Sequence, residues 1–554
     1  MYRPELDPFG DSLAWSSAVA ATPLLVFFVL LGVVRLKAHW SALAALGTAL
    51  VVAVAGYDMP VGASVNSAAE GAVFGLFPIM WIVVNALWIY QMTVDTGHFA
   101  VLRRSFSRLS GDQRLQAVIV AFCFGALLEA LAGFGAPVAI TSVMLIALGF
   151  GAFKAATVAL VANTAPVAFG AMGTPVITLA NLTGLSLDDV SSTVGRQTPV
   201  LALVVPVLLV FLVDGKRGVR ETWMPALVCG IAFALAQFAT SNYLSTELTD
   251  VVAALVALGA LLAAMRLTPG GAGARGGLEP PPVIAGGSRD ADTEAAEQRA
   301  ETVAADDRGS VFKAYVPYLV IIAVFAISQI DAVKDQLAET VTTFGWPGLD
   351  VADPVTGDPA SATTFTLNWL PATGTLLLFS GVITAAALSV RPGLAVRAYG
   401  RTLHQLRWAI LTVATVLALA YVMNLSGQTA TLGHWIAGAG TALAFLSPVL
   451  GWLGVAVTGS DTSANALFGV LQVTAAKSSG LNPELLASAN SSGGVLGKMI
   501  SPQNLAIAAA ATGLHGREAE LLRKVVGWSL LLLLLMCVLV ALQSSAVLEW
   551  MLPT

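Results

Sequence analysis

The sequence predicts an all-α polytopic membrane protein: two inverted-topology repeats with broken helices or re-entrant hairpins, and about 12 to 14 transmembrane helices at roughly 20 apolar residues per crossing. Three observations carry this. Of 554 residues, 56% are apolar and only 11% are Asp, Glu, Lys or Arg, against roughly 25% charged in a soluble domain. The mean hydropathy is +0.80. Polar, helix-breaking segments recur in matching places of two apolar halves. So few charges could not cover the surface of a water-soluble chain of this length, which excludes a cytosolic enzyme, a nucleic-acid binder and a disordered scaffold. The net charge of −5 is small and identifies no partner beyond the lipid bilayer.

Apolar stretches fall near residues 18–35, 40–56, 72–93, 115–132, 136–150, 153–169, 197–213, 223–240, 250–266, 314–330, 373–390, 408–424, 434–457, 464–476, 484–513 and 525–546. They are apolar all round, so periodicity does not place their faces. Arg3 stands against Glu5, Asp7 and Asp11, a poor start for a cleaved signal peptide, so the first stretch is expected to be retained. Lys and Arg cluster at Arg35 and Lys37; at Arg103, Arg104, Arg108 and Arg114; at Lys216, Arg217 and Arg220; at Arg391, Arg397, Arg401 and Arg407; and at Arg517, Arg523 and Lys524. These loops are expected on the cytoplasmic side of a multi-pass protein. The opposite loops, 57–71, 241–249 and 331–370, are neutral or acidic, so both termini are expected outside.

A polar insert over 267–312 divides the chain. Its Pro/Gly-rich opening and its Ala/Glu/Asp/Arg continuation read as a cytoplasmic tether. The expected domains are an N-terminal membrane half, 1–266, the linker, 267–312, and a C-terminal membrane half, 313–554. The halves echo each other: NTAPVAFGAMGTP (163–175) aligns with NSSGGVLGKMISP (490–502), setting Asn163 on Asn490, Thr164 on Ser491, Thr174 on Ser501 and Pro175 on Pro502. Gly133 lies near the place of Gly459, one residue out of register. The first copy starts beside basic Arg114 and the second follows the outward loop SGQTATLGH, so the two are expected to enter from opposite sides.

Helix breaks at membrane depth are tolerated where protein or a wet cavity satisfies the freed backbone. The breaks are EALAGFGAPVAI (129–140), with Gly133, Gly135 and Pro137; NTAPVAFGAMGTP; VTGSDTSANALFG (457–469); and NSSGGVLGKMISPQN (490–504). Half-helix N-termini there favour an anion, and polar side chains accompany all but the first break. A small anionic solute would be held by Gly133, Gly135, Asn163, Thr164, Asn490, Ser491 and Ser492. Thr462, Ser463, Asn465, Ser501 and Gln503 add further donors and acceptors to such a site. Three ionisable residues sit in these breaks, where a charge costs about 2.5–3.5 kcal/mol on insertion scales. Glu129 and Asp461 are expected to carry the proton, Asp461 also to bind the solute, or else they snorkel to the interface or form a fixed salt bridge. Lys498 either meets a substrate carboxylate or pairs with one of those acids. Glu70, Asp95, Asp214 and Arg196 fall near segment ends and are expected at the interface. Cys123, Cys229 and Cys537 read as core filler. The five histidines lack metal-ligand spacing, and neither a P-loop nor a GxSxG elbow is present, so no metal or other cofactor is expected.

The segments EALAGFGAPVAI, VANTAPVAFGAMGTPVI, TGSDTSANALFG and ANSSGGVLGKMISPQN resemble signatures of the L-lactate permease family. The resemblance implies an inner-membrane, multi-pass carrier that imports lactate, or a related 2-hydroxy monocarboxylate such as glycolate, by proton symport, with the 2-hydroxyl meeting Thr462, Ser463, Asn465, Ser501 or Gln503. It also implies kinship with ion-transporter folds that use hairpins and broken helices, sometimes with elevator motion and as homodimers. Sodium coupling is the alternative, since carbonyls and hydroxyls at breaks also bind Na⁺. A passive channel, or a membrane enzyme acting on lipid-linked substrates, stands further off, the latter because no nucleophile–base pair is found.

Overall fold

The computed structural model describes residues 1–107, 109–133, 135–267, 307–328, 330–352, 357 and 359–553. The tether expected over 267–312 lies, from 268 to 306, outside the described residues. The first side of the tether carries α1 (Leu13–Val33), α2 (Ala38–Gly56), α3 (Val61–Asp95), α4 (His98–Ser107), α5 (Gln113–Leu131), α6 (Ala136–Ala147), α7 (Ala152–Ala162), α8 (Gly170–Thr183), α9 (Leu187–Tyr243) and α10 (Thr249–Leu267). Beyond it come α11 (Arg308–Ser328), α12 (Asp331–Ala338) and the antiparallel strands β1 (Thr342–Gly345) and β2 (Thr364–Leu367), paired Thr342 to Leu367. Then follow α13 (Thr373–Ala387), α14 (Pro392–Leu425), α15 (Gln428–Ala437), α16 (Ala442–Thr458), α17 (Asp461–Ser479), α18 (Pro483–Gly497), α19 (Pro502–Ala511) and α20 (Glu518–Gln543).

Nine helices among the described residues are long and apolar enough to cross a membrane, and the pair α7–α8, bent by 65°, makes a tenth. Of these, α9 counts twice. Its 57 residues reverse at Asp214 and Gly215, and its arms run side by side, Ser191 Oγ donating to Ser241 O at 3.1 Å and Thr198 Oγ1 to Gln237 Oε1 at 3.2 Å. By contrast, α5 is a hairpin arm: Gln113 Nε2 donates to Leu148 O at 3.1 Å, tying its start to the end of α6. Its apolar window is 100% buried, against 28% for α11, as expected of a span surrounded by protein. Among the described residues α13 is a shorter apolar helix, and α18 and α19 are separated by a break at Lys498–Ile500.

The ends of the bundle differ in charge. One end gathers the basic turns: Arg114 Nη1 reaches Glu221 Oε2 at 2.6 Å and Asp214 Oδ2 at 3.1 Å, and Arg401 pairs with Asp95. The other end holds both termini, Tyr2 N donating to Asp350 O at 2.9 Å and Arg196 Nη1 to Met551 O at 2.9 Å. Asp95, Asp214 and Arg196 thus sit at segment ends as expected, but Glu70 does not. It is fully buried in α3, neither carboxylate oxygen having a hydrogen-bond partner, because Gly71 beside it lets the backbone of α14 close in at Leu417 and Ala418. Cys123, Cys229 and Cys537 are free and buried.

Helices from both sides of the tether interleave. α14 packs on α2 and α3, α13 on α3, and α17 on α8. Two apolar clusters result. One is built around α5, α7 and α18 and the other around α2, α3 and α14.

Candidate functional site

Local sequence sets each break. α17 starts where Gly459, at φ +74°, ends α16 and Ser460 caps the next helix by accepting from Ser463 N. α19 starts with Ser501 as cap and Pro502 in the first turn, where its missing N–H costs nothing. Before α8 settles into a right-handed helix at Thr174, Ala171 and Met172 hold φ of +45° and +57°, a costly conformation for side-chain-bearing residues that clusters at functional sites. The two second arms open alike: Thr174 Oγ1 donates to Ala171 O at 2.5 Å and Ser501 Oγ to Lys498 O at 3.0 Å. These positions coincide in the alignment of the halves.

The hairpin tips converge on α19. A Cβ on Gly135 (φ +83°) would lie 3.1 Å from Asn504 Oδ1, and one on Gly459 would lie 2.7 Å from Gln503 Oε1. Between the tips and the breaks lies a cavity of about 50 Å³ lined by Glu129, Gly133, Gly170, Ala171, Thr174, Pro175, Ser460, Asp461, Thr462 and Lys498. Ile79, Met80 and Val83 of α3 and Val413 of α14 close its apolar side. The cavity therefore sits at the seam of the two clusters.

Glu129 is 2% exposed and Lys498 6%. Lys498 Nζ donates to Glu129 Oε1 at 2.5 Å, and Asn163 Nδ2 donates to Glu129 Oε2 at 2.8 Å. Of the two readings open for Lys498, the ion pair is the one this structure holds. Asp461 belongs to a second network. Ser491 Oγ donates to its Oδ2 at 2.6 Å, while its buried Oδ1 has no partner. Asn465 Nδ2 donates to Pro175 O at 3.1 Å, and Asn490 Nδ2 donates to Asn465 Oδ1 at 2.9 Å. The cavity thus confronts two carboxyls with one ammonium, in an interior where uncompensated charge is costly.

Other expected residues are placed differently. Thr164 and Ser501 spend their hydroxyls on backbone carbonyls, Val161 O and Lys498 O, so they shape the breaks rather than line the cavity. Ser463, Asn465, Asn490, Ser491 and Ser492 are buried outside the lining, and Gln503 is exposed beside the second tip. The reading missed the apolar wall and Thr174, since nothing local marks Ile79 or Val413 among so many apolar residues. Asp250, a further buried acid outside the lining, accepts from Gln237 Nε2 at 3.1 Å through Oδ1. Among the described residues no group of three His, Cys, Asp or Glu could hold a metal ion.

Comparison with known proteins places the chain among permeases. The family model described as L-lactate permease matches residues 16–547. An L-lactate permease of Bacillus subtilis (strain 168) is 40% identical, over 99% of this chain and 99% of its own. One of Escherichia coli (strain K12) is 40% identical over 100% of both chains. The glycolate permease GlcA of the same organism is 40% identical over 97% of both.

Proposed function

We propose, from the premise that this chain belongs to the L-lactate permease family, a family of transporters rather than enzymes, that it carries lactate or a close 2-hydroxy monocarboxylate such as glycolate across the membrane together with a proton. The names of its relatives support the substrate class. The observation that carries the coupling is the charge balance of the cavity: Glu129 and Asp461 against Lys498 alone.

With both acids ionised, an entering carboxylate would meet net negative charge in a desolvated site. A proton on Glu129 removes one negative charge and loosens its hold on Lys498. The freed ammonium, with three donors, then turns to the substrate carboxylate, with Asn163 beside it. Asp461 Oδ1, buried without a partner, is the acceptor offered to the 2-hydroxyl, with Thr462 next to it. Carrying the proton also cancels the electrical cost of moving one anion inward, about 2.3 kcal/mol per 100 mV. Sodium coupling gains nothing from the comparisons.

The hairpins α5–α6 and α16–α17, with the broken helices after them, form the two copies of the proposed inverted repeat. The end with the basic turns is the proposed cytoplasmic face.

Uptake of labelled L-lactate into proteoliposomes tests the reading. Accumulation should follow an imposed inward-directed proton gradient and be unchanged when choline replaces Na⁺. Uptake indifferent to the gradient would remove the proton from the mechanism. Glycolate should compete, since a missing methyl in an apolar pocket changes discrimination only about 10–200-fold.

A further inference from the structure

At the end of the bundle that bears the basic turns, a second cavity of about 660 Å³ opens between α7, the end of the first arm of α9, and α20. Phe153, Lys154, Thr157, Leu212, Lys524 and Trp528 line it, with Arg517 at its rim and no acid in its wall. Arg517 is held by Glu520 at 2.8 Å and lies 4.5 Å from the centroid of the Phe153 ring, and Lys524 Nζ lies 5.8 Å from the same centroid. Lys154 Nζ gives one donor to Val213 O at 2.7 Å and keeps two. Thr157 Oγ1, in a residue 7% exposed, is buried without a hydrogen-bond partner. The site offers cationic and hydroxyl donors in excess of its acceptors, so it suits an anionic, acceptor-rich group.

The surroundings identify the occupant. The Trp528 ring meets Phe211 edge-on at 6.0 Å, and Leu531 and Leu535, three and seven residues further along the same side of α20, are exposed and half-buried. An anion held there has lipid-facing hydrocarbon directly next to it. Basic pockets between helices, with an aromatic at the headgroup level, suit anionic phospholipids. We propose that this cavity binds the phosphodiester headgroup of an anionic phospholipid, through Lys154 and Lys524, with the acyl chains lying along Phe211 and the leucines of α20. The site is separate from the transport cavity, and the proposal does not depend on the coupling mechanism.

The test is binding to the purified full-length protein by native mass spectrometry, supported by thermal unfolding. The ligands are phosphatidylglycerol, phosphatidylcholine and inorganic phosphate. Phosphatidylglycerol should bind and raise the unfolding temperature, and phosphatidylcholine should do so far less. Lys524→Gln, on an exposed side chain, should weaken phosphatidylglycerol about five-fold, and Lys154→Gln/Lys524→Gln about 25-fold. Lys477→Gln, at the opposite end of the bundle, should leave it unchanged. Equal binding of both lipids, or wild-type affinity in Lys524→Gln, would overturn the proposal. Inorganic phosphate reproducing the full thermal shift would assign the site to a soluble anion instead and overturn the lipid.

Discussion

The Lys498 ammonium meets the Glu129 carboxylate at 2.5 Å across 369 residues of chain, joining the break of one half of the protein to the first hairpin of the other. The pair is buried on both sides, and a buried pair needs further hydrogen bonds to offset desolvation. Asn163 supplies one to Glu129 at 2.8 Å. The contact is both a structural tie and, in the proposed cycle, the lock that a proton opens.

Glu129→Gln keeps the shape and removes the proton site. Lactate accumulation under an imposed gradient of one pH unit should fall about tenfold, the factor that one coupled proton supplies at about 1.4 kcal/mol, while lactate–lactate exchange persists. Counterflow beside gradient-driven uptake, in the same proteoliposomes, separates the two. Full accumulation by the variant would move the proton to Asp461.

Lys498→Met leaves the Glu129 carboxylate buried with Asn163 as its remaining hydrogen-bond donor. The expected destabilisation is about 3–5 kcal/mol, the cost of breaking a buried pair from one side. Adding Glu129→Gln should recover most of it, because no uncompensated charge then remains. Thermal unfolding of both single variants and the double, read as a cycle, measures the coupling.

Gly494→Ala tests the space around Asp461. A Cβ there would collide with Asp461 Oδ1 and lie 2.9 Å from Val455 Cγ2. Overpacking of this kind costs about 1–3 kcal/mol, and the displaced carboxyl should lose its bond from Ser491 and lower uptake. Gly47→Ala is the control. It meets nothing within 4 Å and should stabilise its helix by roughly 0.5–1 kcal/mol.

Glu70 gives a prediction of opposite sign. Its carboxylate is buried with no hydrogen-bond partner, so replacing it with an apolar side chain of similar length removes a desolvation cost. Glu70→Met should raise the unfolding temperature of the purified protein. A fall would show that burying this carboxyl is not a net cost to the fold.

Much of this site was legible one segment at a time. Charged residues inside apolar runs are expensive in lipid, which singled out Glu129, Asp461 and Lys498 before any contact was known. The breaks showed through Gly, Pro and Ser at membrane depth, and the aligned Thr174 and Ser501 do perform the same local task, each bonding the carbonyl three residues back. Glu70 went wrong for a physical reason: a helix apolar on every side carries no periodic signal of which face is buried, and Gly71 allows an approach that only the neighbour α14 reveals.

The sequence alone determined that the chain lives in lipid, where its helices break, and which ionisable groups are costly in the apolar runs. These follow from short-range rules: transfer cost, backbone hydrogen bonding and capping. Only the tertiary structure decided that Lys498 chooses Glu129 over Asp461, that Ser491 rather than Thr164 serves a carboxyl, and that Ile79 and Val413 wall the cavity. Those choices join residues far apart in the chain. They depend on how whole helices pack, which no local pattern encodes.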